Sequence, residues 1–102
     1  MSSPKPDRLL LAPKAQQDFI DILRYTASRW GAQQLLVYRD QLDAALQEIA
    51  NHPQIGQQRA DLPPTHRACL VGVHVIVYRM DGERVGVVRI LHQRMSLPRH
   101  CS

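Results

Sequence analysis

The chain is 102 residues long, 44% hydrophobic and 22% charged, which allows one domain with one core and excludes a disordered chain. Its longest apolar stretches run to a handful of residues, so no membrane span is expected, and the polar start lacks an apolar signal region, so a cytoplasmic location is expected. The net charge of +4 is uneven: six Lys/Arg balance six acids up to Asn51, whereas seven arginines from Arg59 to Arg99 meet only Asp61, Asp81 and Glu83.

After a polar segment, Arg8 to Ala12 reads as a short strand. Pro13 then stands where a helix tolerates a proline, in its first turn. Ala15, Phe19, Ile22, Leu23, Thr26 and Trp30 follow at helical spacing, and Gly31 ends the helix. A second stripe, Leu35, Tyr38, Leu42, Ala45, Leu46 and Ile49, stops at Asn51-His52-Pro53, because the residue before a proline resists the helical conformation. Two long helices with one glycine between them predict an antiparallel hairpin. From Asn51 to Pro64 nothing is periodic, and a loop of that length is commonly functional or wrapped over a surface.

Strands are expected over Arg67 to Val71, His74 to Met80 and Arg84 to His92. Asp81-Gly82 is a two-residue hairpin signal, since glycine accepts the positive φ such a turn needs. With Met80 facing Glu83, Tyr78 pairs with Val85, Ile76 with Val87 and His74 with Arg89, while Val77 meets Gly86, Val75 meets Val88 and Val73 meets Ile90. Arg79 then faces Arg84, a like-charge pair that an acidic partner would relieve. Both sheet faces come out apolar, and the two helices cover only one. A partner protein is expected on the other, over Val73, Val75 and Val77; the first strand, the long loop and the tail are the alternative cover.

The sheet half has arginines and no lysine, and arginine makes planar, bidentate contacts with carboxylate or phosphate, so this is the expected binding half. No phosphate loop, nucleophile elbow or paired carboxylates occur. Cys69 and Cys101 have no C-x-x-C spacing and read as plain thiols; His66 and His100 beside them do not complete a zinc set, and no metal or cofactor is expected. One cluster has catalytic character: His92 with Arg94, Arg89 and Arg67. A histidine acting as acid or base and arginines on an oxyanion would suit phosphodiester cleavage, and the same groups would equally anchor an acidic protein surface.

The order of short strand, helix hairpin, Pro-bearing loop and three strands resembles the RelE/ParE toxin superfamily over nearly the whole chain, and its ParE branch more closely. The residues that carry the resemblance are Leu11-Ala12-Pro13-x-Ala15, Arg29-Trp30-Gly31, Asn51-His52-Pro53-x-Ile55-Gly56, Val77-Tyr78-Arg79 and Val87 through Met95. It implies an α+β fold in which a three-stranded antiparallel meander packs on the helix hairpin, as a single domain over 1–102 with loose tails at 1–7 and 96–102. It also implies the toxin of a type II toxin–antitoxin pair, neutralised by a ParD-like antitoxin of ribbon-helix-helix type. ParE-like toxins poison DNA gyrase by protein contact and are not hydrolases; sequence-specific DNA binding by this chain is not expected. On that reading Arg79, Arg89, His92 and Arg94 bind a partner. RelE-like relatives cut messenger RNA on the ribosome with basic residues and often a tyrosine near the C-terminus. Here Met95-Ser96-Leu97-Pro98 offers no tyrosine, so a nuclease would depend on His92, Arg67, Arg89 and Arg94.

Overall fold

The computed structural model describes residues 8–97. Strand β1 (Leu9–Leu11) leads into helix α1 (Pro13–Trp30) and helix α2 (Ala32–Asn51), which meet at Gly31. A 3-10 turn (Pro53–Ile55) opens the long loop, and β2 (His66–Val71), β3 (His74–Asp81) and β4 (Arg84–His92) follow. The sheet order is β1-β4-β3-β2, with β1 parallel to β4 and the other pairs antiparallel. The α+β architecture is the expected one: a strand, two helices and a meander packed against them.

The helical spacing has a physical counterpart. Ala15, Ile22, Leu42, Leu46 and Ile49 are buried against Ile76, Tyr78, Val85, Val87 and Ile90 of the sheet, forming the main core. Trp30 leaves the expected stripe: at 67% exposure it stands in solvent beside the Gly31 corner, with the Arg29 guanidinium 5.9 Å from its ring centre. The long loop is tied down by Tyr78, whose hydroxyl donates to the Pro53 carbonyl at 2.6 Å and accepts the Gly56 N–H at 2.8 Å. Gly56 has to be a glycine, since a Cβ there would lie 2.7 Å from Tyr78 Cε1.

The β3–β4 register differs from the expected one. Asp81 faces Arg84, so the loop is Gly82-Glu83, and Gly82 at φ +67° takes its first position. A glycine with positive φ in that place suits the type II′ geometry, whereas the sequence reading placed it second, as type I′ demands. Tyr78 therefore pairs with Val87 and Arg79 with Gly86, and no Arg79–Arg84 pair forms. A bulge follows at Val88, because Val77 faces Arg89 directly after Tyr78 faces Val87. The extra residue brings Ile90 opposite Ile76, Leu91 opposite Val75 and His92 opposite His74. Ile90 thus joins the helix-side core instead of meeting Val73.

The outer sheet face is also closed further than expected. Val75, Val77, Leu91 and Ala68 pack with Leu62 from the loop and Leu97 from the chain's end. Val75 is 4% and Val77 0% exposed, so neither lies open to a partner; of the three valines expected there Val73, in the β2–β3 turn, stays exposed, as does Leu70 opposite Val75. Leu62 of the loop and Leu97 beyond β4 supply the cover. The loose tail expected from Ser96 does not hold at Leu97, which is 3% exposed. The tails expected at 1–7 and beyond Leu97, with His100 and Cys101, lie outside the described residues.

Strand β4 is longer than its neighbour β1, which pairs only with Val85 to Val87. Beyond that point Asp18 of α1 takes over the edge. Its carboxylate accepts the Ile90 N–H at 2.9 Å and the Arg89 guanidinium at 2.7 and 2.9 Å. Both side chains of this pair are largely buried, Arg89 at 16% and Asp18 at 13% exposure.

Candidate functional site

The residues expected to carry chemistry do not meet at one point. Arg67 turns to the loop, donating to the Gly56 carbonyl at 2.7 Å and more weakly to Gln54 at 3.4 Å. Arg89 is held by Asp18 through two nitrogens, which satisfies the fork of donors that phosphate recognition would use. His92, at the end of β4, accepts the Arg94 N–H on Nδ1 at 3.1 Å. Arg94 itself is exposed in the turn that follows. Of the four groups assigned to the nuclease reading, His92 and Arg94 are adjacent, and the two other guanidiniums have partners within the fold.

His92 does have a neighbour the sequence did not reveal. Because of the bulge it faces His74, with the rings edge to face and their centres 5.7 Å apart. The Tyr38 hydroxyl from α2 lies 2.6 Å from His74 Nδ1 and 3.0 Å from the Val71 carbonyl. The hydroxyl donates to the carbonyl, so His74 Nδ1 carries the proton it shares with Tyr38. Burial, with His92 adding to it, holds His74 below its ordinary pKa of 6.5. Asp18, Asp21 and Met95 line the small cleft beside the pair.

Arg79 is differently placed. It is exposed on the outer face of β3, opposite Gly86 on β4 and His66 on β2. These residues line a groove of about 640 Å³ that runs from Leu10 and Leu11 of β1 to Pro63 in the loop, with Val88 in its wall. Gly86 opens it, since a side chain there would fill the space between β1 and β3. His66 is 9% exposed; burial first, then the charge of Arg79, lowers its pKa below 6.5, and its Nδ1 lies 2.9 Å from Thr65 Oγ1. Asp81 shares the groove, so its polar groups carry both signs around an apolar floor. Sequence reasoning singled out Arg79 and missed two neighbours: Gly86, because a one-residue difference in the turn decides what faces Arg79 on β4, and His66, because the sequence pattern assigned no register between β2 and β3.

Among the described residues no cluster of three or more His, Cys, Asp or Glu side chains is arranged to hold a metal, Cys69 is a free, partly buried thiol, and no helix is long and apolar enough to cross a membrane.

Comparison with known proteins adds to this geometry. A family model described as the ParE toxin of the type II toxin–antitoxin system parDE matches residues 9–97. Toxin ParE1 of Caulobacter vibrioides is 41% identical over 96 residues, covering 94% of this chain and 97% of that protein. Toxin ParE1 of Mycobacterium tuberculosis is 38% identical over 94 residues, covering 91% and 96%. A solved chain from the chromosomal ParDE TA system of P. aeruginosa matches with a TM-score of 0.72 at 17% identity, over 82% of this chain and 92% of that one. That last likeness is one of fold.

Proposed function

This chain belongs to the ParE toxin family of type II toxin–antitoxin systems, and we propose that it inhibits DNA gyrase by protein contact and is neutralised by a ParD-like antitoxin. The observation that carries the choice is the state of Arg89. A phosphodiester-cleaving site needs cations free to follow charge as it develops on the phosphoryl oxygens. Here Arg89 is bound bidentately by Asp18, and Arg67 is spent on loop carbonyls. A recognition surface needs something else, an apolar floor with a few charged groups at its rim. The groove beside Arg79 has that composition.

In this reading Arg79, with Val73, His92 and Arg94 along the exposed ends of the sheet, contacts the antitoxin or the target. Arg89 supports that surface from beneath, and Val75 and Val77 stiffen it. The chain acts in the cytoplasm, where gyrase works.

The test is a cleavage assay with purified gyrase and supercoiled plasmid, stopped with detergent and protease. Gyrase poisoning yields linear plasmid that depends on the toxin and disappears when antitoxin is added. His92→Ala should leave this activity within about thirtyfold, the ~1–2 kcal/mol of a contact residue. A general acid–base group would instead cost at least about a hundredfold. Codon-linked messenger fragments from translating ribosomes, with no linear plasmid, would reject the gyrase reading in favour of a RelE-type nuclease.

A further inference from the structure

The pair His74 and His92 joins three parts of the fold at one end of the sheet. His74 is anchored to α2 through Tyr38, and Tyr38 also holds the β2–β3 turn at the Val71 carbonyl. His92 holds the segment that leaves β4. Its Nδ1 accepts the Arg94 N–H, its carbonyl accepts the Met95 N–H at 2.9 Å, and the intervening Gln93 N–H goes to the Val73 carbonyl at 2.8 Å. Two residues past Met95, Leu97 lies against the outer sheet face with Val75, Val77 and Leu91.

Those bonds assign different tautomers to the two rings. His74 carries its proton on Nδ1, facing Tyr38, so its Nε2 is the site for a second proton. His92 uses Nδ1 as an acceptor, so its proton sits on Nε2. A proton added to His74 disturbs no bond. One added to His92 must go on Nδ1, where it removes the acceptor of the Arg94 N–H and places two cations edge to face.

We propose that His74 and His92 form a proton-operated latch on the segment 93–97, which stays closed while His92 is neutral and releases Leu97 from the outer sheet face once both rings are protonated. The charged and titratable neighbours decide how easily this happens. From α2 comes Tyr38, a neutral partner. From α1 there are Asp18, whose charge is met by Arg89, and Asp21, which is exposed and accepts from Gln17. From the segment itself comes Arg94. Burial first, and then the neighbouring ring, oppose a charge on His74. Release uncovers Val75, Val77 and Leu91, so acid changes an apolar surface without undoing the helix-side core.

The experiment uses the intact protein and nuclear magnetic resonance at pH 7.5 and 5.0. Nuclear Overhauser contacts between Leu97 and the outer-face valines should be present at the higher pH and lost at the lower. Hydrogen-exchange protection of the Gln93 and Met95 amides, corrected for the intrinsic pH dependence, should fall by about tenfold while Ile76 and Val87 stay protected. His92→Asn should hold the segment closed at both values, because the asparagine oxygen accepts the same i+2 N–H without titrating. The latch is refuted if the protection of Met95 is equal at the two pH values, if Val87 loses protection in step with Met95, or if His92→Asn opens with the wild-type pH dependence.

Discussion

Asp18 shows how much a single side chain can hold. One carboxylate accepts three N–H donors from Arg89 and Ile90, joining the first helix to the last strand across more than seventy positions of sequence. Removing one partner of a largely buried pair leaves the other charge stranded, which costs more than the pair contributed in the first place. Asp18→Ala should therefore destabilise the fold by about 2–4 kcal/mol, the lower part of that range reflecting the remaining solvent contact. Urea denaturation of the variant against the parent protein measures this. The sequence offered no sign of the bond. Asp18 sits off the apolar stripe of α1 like any solvated acid, and Arg89 looked like one of several strand arginines ready for a ligand.

Elements were easier to read than the way they fit together. The helices are legible because their apolar residues recur every three or four positions, and Pro13, Gly31 and Pro53 mark the ends. The strands fall within a residue of expectation for similar reasons. Two details of their pairing were hidden. Asp81-Gly82-Glu83 can place its glycine first or second in a two-residue turn, and the hydrophobic pattern is the same either way, since the two registers keep Tyr78, Val85 and Val87 on one face. The bulge at Val88 is invisible because Val87 and Val88 are both apolar. It nevertheless decides which way Arg89 points. Deleting Val88 should leave Arg89 opposite Val77 and Ile90 opposite Ile76 and return the ladder to simple alternation, straightening the edge that Arg89 and Ile90 present to Asp18. The deletion and Asp18→Ala should then be strongly non-additive, with a coupling of about 1–3 kcal/mol in a double-mutant cycle. Full additivity would mean that the bulge does not position the ion pair.

The whole molecule should have a stability plateau with two sloping sides. His66 and His74 are held neutral by burial, below their ordinary 6.5. As pH falls through 6.5 the unfolded chain takes up protons that the folded chain resists, so stability drops until the lowered folded values are passed. Burial raises Cys69 above its ordinary 9.0 and Tyr38 and Tyr78 above 10.0. As pH rises past those values the unfolded chain gives up protons first, and stability drops again. Asp43 works the other way at the acid end: its raised pKa lets the folded chain bind a proton first, returning a little stability as pH falls toward 3.8. Melting temperature recorded from pH 4 to 11 should therefore be highest between about 6.5 and 9. A maximum displaced to pH 5 would contradict the burial of the two histidines.

At this scale too, the closed outer face was the least legible feature. Alternation in β3 and β4 gives two apolar faces, but nothing in the pattern says that Leu62 and Leu97 will lie on the second, because each is an isolated leucine among polar and proline residues. The groove beside Arg79 is what their cover leaves open.

The carboxylate at the edge of β4 has a consequence for the concentrated protein. A sheet grows by recruiting strands, and the unsatisfied amides of an edge are the template on which a neighbouring molecule adds. Strand β1 blocks the first part of that template and ends after three residues. Where it ends, a helix side chain occupies the Ile90 amide. Loss of that one acid in the first helix would reopen the Ile90 amide, and concentrated Asp18→Ala protein should self-associate more than the parent chain.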